Sequence, residues 1–485
     1  MKLRMRLTHP HSWKLGDRAD VPSPALKGTL SPSEGERDGV RGRSSVPWSN
    51  PIQAYASGVL RLLLVIAGIM CGLSLHAADT KSAATASDAP PTGERLAWWR
   101  AARFGLFIHW GPVSLKGTEI GWSRGGERRG YGSRGTEIPV EVYDNLYKQF
   151  NPTNFNADRW VAIAKAAGMK YLVFTSRHHD GFSEFDTKAD DYKITSPDSP
   201  FHRDVVKELA AACHRAGLRF GVYYSQPNWH HPDAFTDRHT NYLAYLKTQA
   251  RELLTNYGQL DIFWFDGLGK KAKDYDAEAL NSMIHQLQPR ILINNRDGLP
   301  EDFDTPEQVI GKFQYNRPWE SCITICNQWA WKPDDQMKSL QQCLETLIRC
   351  AGGDGNLLFN VGPMPDGRIE PRQVERLEEM GEWLRLYGET IYGTRGGPWK
   401  PTKTLASTRK GNTIYVHLLG GNGETVTLPN IPRKILRSSA LTGGTARVEQ
   451  AADKISIHLD PTEALPPDRG AELLRPQETS RTNQP

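Results

Sequence analysis

Cysteine is scarce in this chain, at six in 485 residues. Cys71 lies in an apolar segment read below as a removable leader. That leaves Cys213, Cys322, Cys326, Cys343 and Cys350, an odd number that excludes a disulfide scaffold. Cys322 and Cys326 have a spacing open to a metal pair, but no second pair accompanies them, so no zinc module is expected. Surplus charge is missing too. Of the net +5, most comes from residues 1–50, which hold nine Lys or Arg against five Asp or Glu, and the rest carries 51 against 50. A neutral body gives nucleic acid no electrostatic footprint to bind. No G-x-G-x-x-G opens a helix after the first apolar run, so a dinucleotide fold has no motif to rest on.

Long apolar runs are absent with one exception. Arg61 precedes LLLVIAGIMCGLSLHAA, about 17 residues ending in small side chains at Ala77 and Ala78, which is short for a membrane span. Its form is that of a secretory signal peptide, with a single anchor as the competing reading. Such signals stand at an amino terminus, so residues 1–58, polar and rich in Pro, Gly, Ser and Arg, are expected to be a disordered extension upstream of the true start. The expected organisation is then signal at 59–78, linker at 79–95, catalytic domain at 96–394, second domain at 395–465 and disordered tail at 466–485. It implies a secreted or periplasmic protein, cleaved near Ala77, with no stable membrane insertion.

What is present is an alternation. Apolar runs at residues 104–111, 170–182, 218–225, 260–267, 290–296 and 356–363 are separated by amphipathic segments at 158–167, 204–216, 241–257, 277–287, 336–350 and 371–387. Asn156 stands ready to cap the first of these helices, and Gly168 and Gly217 to stop the first two. Strand-helix alternation implies a parallel sheet. The pattern loosens over residues 301–331, with room for one or two more strands, which favours a (β/α)8-like TIM barrel over an open sheet. The last hundred residues change to period-two alternation, as at 412–419 and 454–459, and read as a small antiparallel β-sandwich.

Polar residues collect at the predicted carboxyl ends of the strands: His109, His178, His179, Tyr223, Asp266 and Arg296. In a parallel barrel these ends face the active site. Asp266 closes the run LDIFWFDG and suits the nucleophile of a glycosidase; the plainer reading is a turn cap, as in many Asp-Gly pairs. Retaining glycoside cleavage needs a second carboxyl group. Glu307 is the candidate acid/base, with Glu320 as its rival.

HWGP at His109, RHHDGF from Arg177, GVYYS from Gly221, WFDG from Trp264, INNR ending at Arg296 and GGDGNLLFNVGPMPDG from Gly352 together resemble the α-L-fucosidases of glycoside hydrolase family 29. The resemblance runs from about Leu96 to Gly393. It implies a barrel, often incomplete or distorted, with a C-terminal β-sandwich, and an exo-acting, retaining fucosidase that needs no cofactor or metal and takes a fucosylated glycan. Carried over by motif, Asp266 would form the glycosyl-enzyme, while His109, His178, His179, Tyr223 and Arg296 would hold the sugar. Where the family carries a Glu-Trp pair, this chain reads GTEIGW, which assigns Glu119 and Trp122 to sugar contacts. The insert SRGGERRGYGSRG at residues 123–135 departs from the family form and is expected to be a mobile loop at the barrel mouth that helps choose the aglycone, with an acidic or sulfated glycan as a candidate. Two other readings stand beside this one: a metal-dependent hydrolase with His109, His178, His179 and Asp266 as ligands, and an inactive sugar-binding barrel.

Overall fold

In the computed structural model of the chain, residues 2–7, 92–134, 137–419, 425–443 and 445–460 are described. The expected leader, most of the upstream extension and the tail lie outside the described residues.

The apolar runs become seven parallel strands: β1 (Phe104–Ile108), β2 (Tyr171–Arg177), β3 (Arg219–Ser225), β4 (Ile262–Asp266), β5 (Leu292–Ile293), β6 (Glu320–Thr324) and β7 (Asn356–Val361). Their order across the sheet is β5-β4-β3-β2-β1-β7-β6. Both faces are covered, which is why the strands read as nearly unbroken apolar sequence. Alternate residues go to two cores. Phe107, Val173, Tyr223, Ile262, Trp264 and Leu358 meet inside the curled sheet, where Leu96 and Trp99 of helix Thr92–Ala102 join them. Leu106, Phe174, Val222, Phe263 and Phe265 face outward into the layer shared with the helices.

The sheet is closed between β5 and β6 by an irregular stave. Isolated parallel bridges join Asn294 to Phe303, Asp304 to Trp319 and Glu307 to Cys322. Pro300, Pro306 and Pro318 explain why no regular eighth strand forms here, since proline cannot donate to a ladder. The result is a distorted TIM-like barrel, and the irregular stave carries Glu307 to its rim.

Helix ends follow the expected chemistry. The Asn156 side chain accepts from the Arg159 amide and that of Asp204 from the Lys207 amide, both at 2.9 Å, and Gly217 ends Val205–Ala216 in the left-handed region. Inside the barrel, a Cβ on Gly105 would lie 2.3 Å from the Tyr171 ring, so glycine is required for that ring to cross the floor.

The C-terminal region holds two antiparallel sheets. One has the order Arg395–Gly396, Leu405–Lys410, Thr413–Leu418, Lys2–Leu7, Ile435–Ala440; the other, Thr425–Pro429, Lys454–Asp460, Thr445–Gln450. The reading of residues 1–58 as disordered is therefore corrected at its start. Lys2–Leu7 is an inner strand, antiparallel to both neighbours, with Met5 fully buried. The Lys2 ammonium sits 3.8 Å from the Trp383 ring and 3.2 Å from the Tyr387 ring, and burial pushes its pKa down to about 7. Six alternating residues, K-L-R-M-R-L, suffice for a strand even at the head of a polar segment.

Candidate active site

Asp266 ends β4 two residues after Trp264, so period two turns its carboxylate into the barrel mouth. It is 8% exposed and does not cap the following turn. Oδ2 instead accepts from the Tyr223 hydroxyl at 2.9 Å, with His179 Nε2 at 3.6 Å, and Oδ1 lies 3.3 Å from Arg296 Nη1. Burial opposes ionisation, but the Arg296 guanidinium, joined by the Tyr223 hydroxyl, outweighs it and holds the carboxyl below its ordinary value. Gly267 makes this approach possible, because a Cβ there would stand 2.3 Å from the Arg296 carbonyl.

Three imidazoles line the same cavity, and their partners assign their protons. Asn360 Nδ2 donates to the Trp329 carbonyl at 2.7 Å, so Asn360 Oδ1 accepts from His109 Nδ1–H at 2.7 Å. Ser225 donates to the Pro227 carbonyl at 2.7 Å and so accepts from His179 Nδ1–H at 2.6 Å. In both rings Nε2 is left as a lone pair for a ligand hydroxyl. Burial pushes His109 down to about 3 and His179 to about 4, and takes His178 well below its usual range, so all three are neutral at pH 7.

Glu307 stands at the rim, with a 43% exposed side chain against 11% for Asp266. Its Oε2 lies 2.8 Å from the Arg296 nitrogen that also meets Asp266. One shared nitrogen keeps the two oxygens within about 6 Å, which accommodates the roughly 5–5.5 Å separation of retaining carboxyl pairs. The cavity gathers His109, Trp122, His178, His179, Tyr223, Asp266, Arg296 and Glu307 on one face. A wider groove elsewhere on the surface, lined by Trp160, Ile163 and Val374 among others, shares no residue with it.

Two carboxylates lie elsewhere. Glu320 is fully buried inside the barrel and accepts from Trp99 and Trp264 Nε1, each at 3.2 Å, and from the Tyr171 hydroxyl. It does not line the cavity. Glu119, expected to contact the sugar, is not among the residues lining the cavity; its carboxylate accepts from the Trp329 amide at 3.1 Å and the Ala330 amide at 3.3 Å. It positions Trp329, whose ring does line the cavity, 4.7 Å from His109. Trp329, Trp264, Phe107, Leu268 and Cys322 are lining residues that sequence reasoning missed. The inward period of β1 and β4 pointed to Phe107 and Trp264; the irregular QWAW segment carried no signal for Trp329.

Among the described residues, no three His, Cys, Asp or Glu converge in a way that would hold a metal ion, the five cysteines are free and buried, and no helix is long and apolar enough to cross a membrane.

A family model described as alpha-L-fucosidase matches residues 73–389. The chain is 32% identical to the plasma alpha-L-fucosidase of Rattus norvegicus over 352 residues, which is 64% of this chain and 75% of that protein. Alpha-L-fucosidase isoenzyme 1 from Paenibacillus thiaminolyticus superposes with a TM-score of 0.67 at 33% identity, covering 78% of this chain and 97% of that one. The Thermotoga maritima alpha-fucosidase, solved with a mechanism-based inhibitor, gives 0.62 at 30% identity, covering 75% and 92%. With the barrel, its carboxylate pair and these likenesses together, the chain belongs to the α-L-fucosidase family, glycoside hydrolase family 29.

Proposed function

We propose that this protein is an exo-acting, retaining α-L-fucosidase that releases terminal α-L-fucose from fucosylated glycans. Asp266 attacks the anomeric carbon as the glycosidic C–O bond breaks, and Glu307 delivers its proton to the departing oxygen. In the second step Glu307 takes a proton from water, which attacks the same carbon and frees Asp266. The observation that carries this reading is the single Arg296 nitrogen shared by a deep carboxylate and a rim carboxylate. The deep group is the one held ionised, as a nucleophile must be, and the rim group is the one a leaving group meets on its way out.

Sugar recognition follows from the lining. The unprotonated Nε2 atoms of His109 and His179 accept hydroxyl protons, Arg296 donates, and the rings of Trp264 and Trp329 offer apolar faces to C–H groups and a C6 methyl. Since the floor is the packed barrel core around Phe107 and Trp264, a glycan enters only by its end, which makes the action exo. Every step uses side chains of this chain alone, so the mechanism calls for no cofactor.

The reading also includes export. The apolar segment after Arg61, with its small residues at Ala77 and Ala78, supports a secreted or periplasmic enzyme. Cleavage there would sever Lys2–Leu7 from the body, so amino-terminal sequencing of the exported protein tests this part directly.

Hydrolysis of an aryl α-L-fucoside followed by NMR tests the chemistry. The α-anomer of fucose appears first and mutarotates later; a β-anomer as first product, or no turnover of any fucoside, contradicts the proposal.

A further inference from the structure

The insert at residues 123–135, expected to be a loop at the barrel mouth, is described through Arg134 and contains regular structure. Gly126–Arg128 and Gly132–Arg134 pair as a short antiparallel hairpin, and its side chains are tied to groups flanking the nucleophile. Arg128, only 4% exposed, has its guanidinium 5.1 Å from the Trp122 ring and 4.8 Å from the Trp229 ring, and Nη2 donates to the Trp122 carbonyl at 2.6 Å. Both indoles lie against His179, with ring centres at 5.6 and 5.1 Å, and His179 Nε2 faces Asp266. At the hairpin tip the Tyr131 hydroxyl donates to the carbonyl of Gly267, the residue after the nucleophile, at 3.0 Å, and accepts from Tyr275 at 2.7 Å. Lys270 secures the tip by donating to the Gly130 carbonyl at 2.7 Å.

Burying a guanidinium is costly, and at Arg128 the Trp122 carbonyl and the two indole faces are among the groups that offset the cost. A segment needed only to cover the barrel would be served as well by an apolar side chain. Here the charge fixes one ring that lines the cavity, and the tyrosine fixes the peptide beside Asp266. The hairpin leaves β1 and rests on residues that follow β2, β3 and β4, whereas Glu307 stands across the mouth, on the stave between β5 and β6.

We infer that this hairpin is a fixed wall of the leaving-group side, with Arg128 and Tyr131 as positioning residues for the reaction proposed above, on which this inference rests. Arg128 holds the Trp122 ring in place, and Tyr131 holds the Gly267 peptide and with it Asp266. The leaving group is thereby confined between the Trp122 face and Glu307. A sugar aglycone, with an apolar ring face to lay on the indole, is the class this wall favours over a simple alcohol.

Steady-state kinetics on a fucosylated disaccharide and on methyl α-L-fucoside, for the full chain and its variants, test this. Arg128→Ala raises KM for the disaccharide about tenfold while kcat stays within about threefold, and narrows the preference over the methyl fucoside; Arg128→Lys recovers part of the loss. Tyr131→Phe, a mild change that keeps the ring, lowers kcat about tenfold on both substrates with KM nearly unchanged. A purely structural role would instead lower Tm and leave the KM and kcat of folded protein at wild-type values. Arg128→Ala and Tyr131→Phe proteins whose KM and kcat stay within about twofold of wild type overturn the inference. Absence of turnover by the wild-type chain in the same assay overturns the glycosidase reading itself.

Discussion

Asp266 and Glu320 are buried inside one barrel and share a neighbour, Trp264, yet they are pushed in opposite directions. Above the indole, Arg296 stacks on the ring at 4.7 Å and pairs with Asp266. Below it, the indole N–H, a second tryptophan and a tyrosine donate to Glu320, and among the described residues no cation pairs with it. Asp266 is held below its ordinary pKa, whereas burial pushes Glu320 up to about 7 despite those three donors. Neutral hydrogen bonds satisfy a buried carboxyl group without offsetting the loss of water; a guanidinium does offset it. The floor of the barrel is thus a place for a structural acid, and only the rim, where Arg296 reaches in, is a place for a nucleophile.

Three substitutions probe that contrast. The largest effect belongs to Asp266→Ala, which lowers kcat at least about a thousandfold on every fucoside, whatever its leaving group. Glu307→Ala comes next: a loss of roughly a hundredfold or more on a disaccharide, a small loss on a fucoside with an activated aryl leaving group, and partial rescue by azide, because only proton transfer is removed. Equal losses on both substrates would move the acid role to another residue.

Glu320→Gln has the smallest effect and appears in stability rather than in turnover. A carboxyl raised from 4.5 to about 7 in the folded state keeps a proton that the unfolded chain gives up in between. The stabilisation is complete below pH 4.5 and is lost as pH rises toward 7. A permanently neutral glutamine removes that fall. Thermal unfolding across pH 4.5 to 8 should show a decline for the wild type that is shallower in the variant by about 3 °C, with kcat at pH 6 unchanged. A parallel decline in both proteins would place the pH dependence elsewhere.

The contrast also marks what sequence alone makes legible. Asp266, His109 and Tyr223 sit at the ends of apolar runs, and a local pattern is enough to turn them toward the mouth. Glu320 gives no such sign, because its environment is assembled from Trp99, Tyr171 and Trp264 on three distant elements. For Glu119 the motif named the right neighbourhood, but the ring it serves lies some 210 positions away, at Trp329. The hairpin at Arg128 reads as flexible from its glycines, since the anchors at Trp229, Gly267 and Tyr275 appear only when the barrel brings them together. Lys2–Leu7 was within reach as a period-two run, but the surrounding polar composition outweighed it.

The most direct test of the central claim is to trap the covalent intermediate with a 2-fluoro-fucosyl fluoride, digest the protein and locate the added mass. The account predicts one fucosyl label, on the peptide carrying Asp266, and none in Asp266→Ala. A label on Glu307 or another side chain, or stoichiometric labelling of the Asp266→Ala protein, would contradict it.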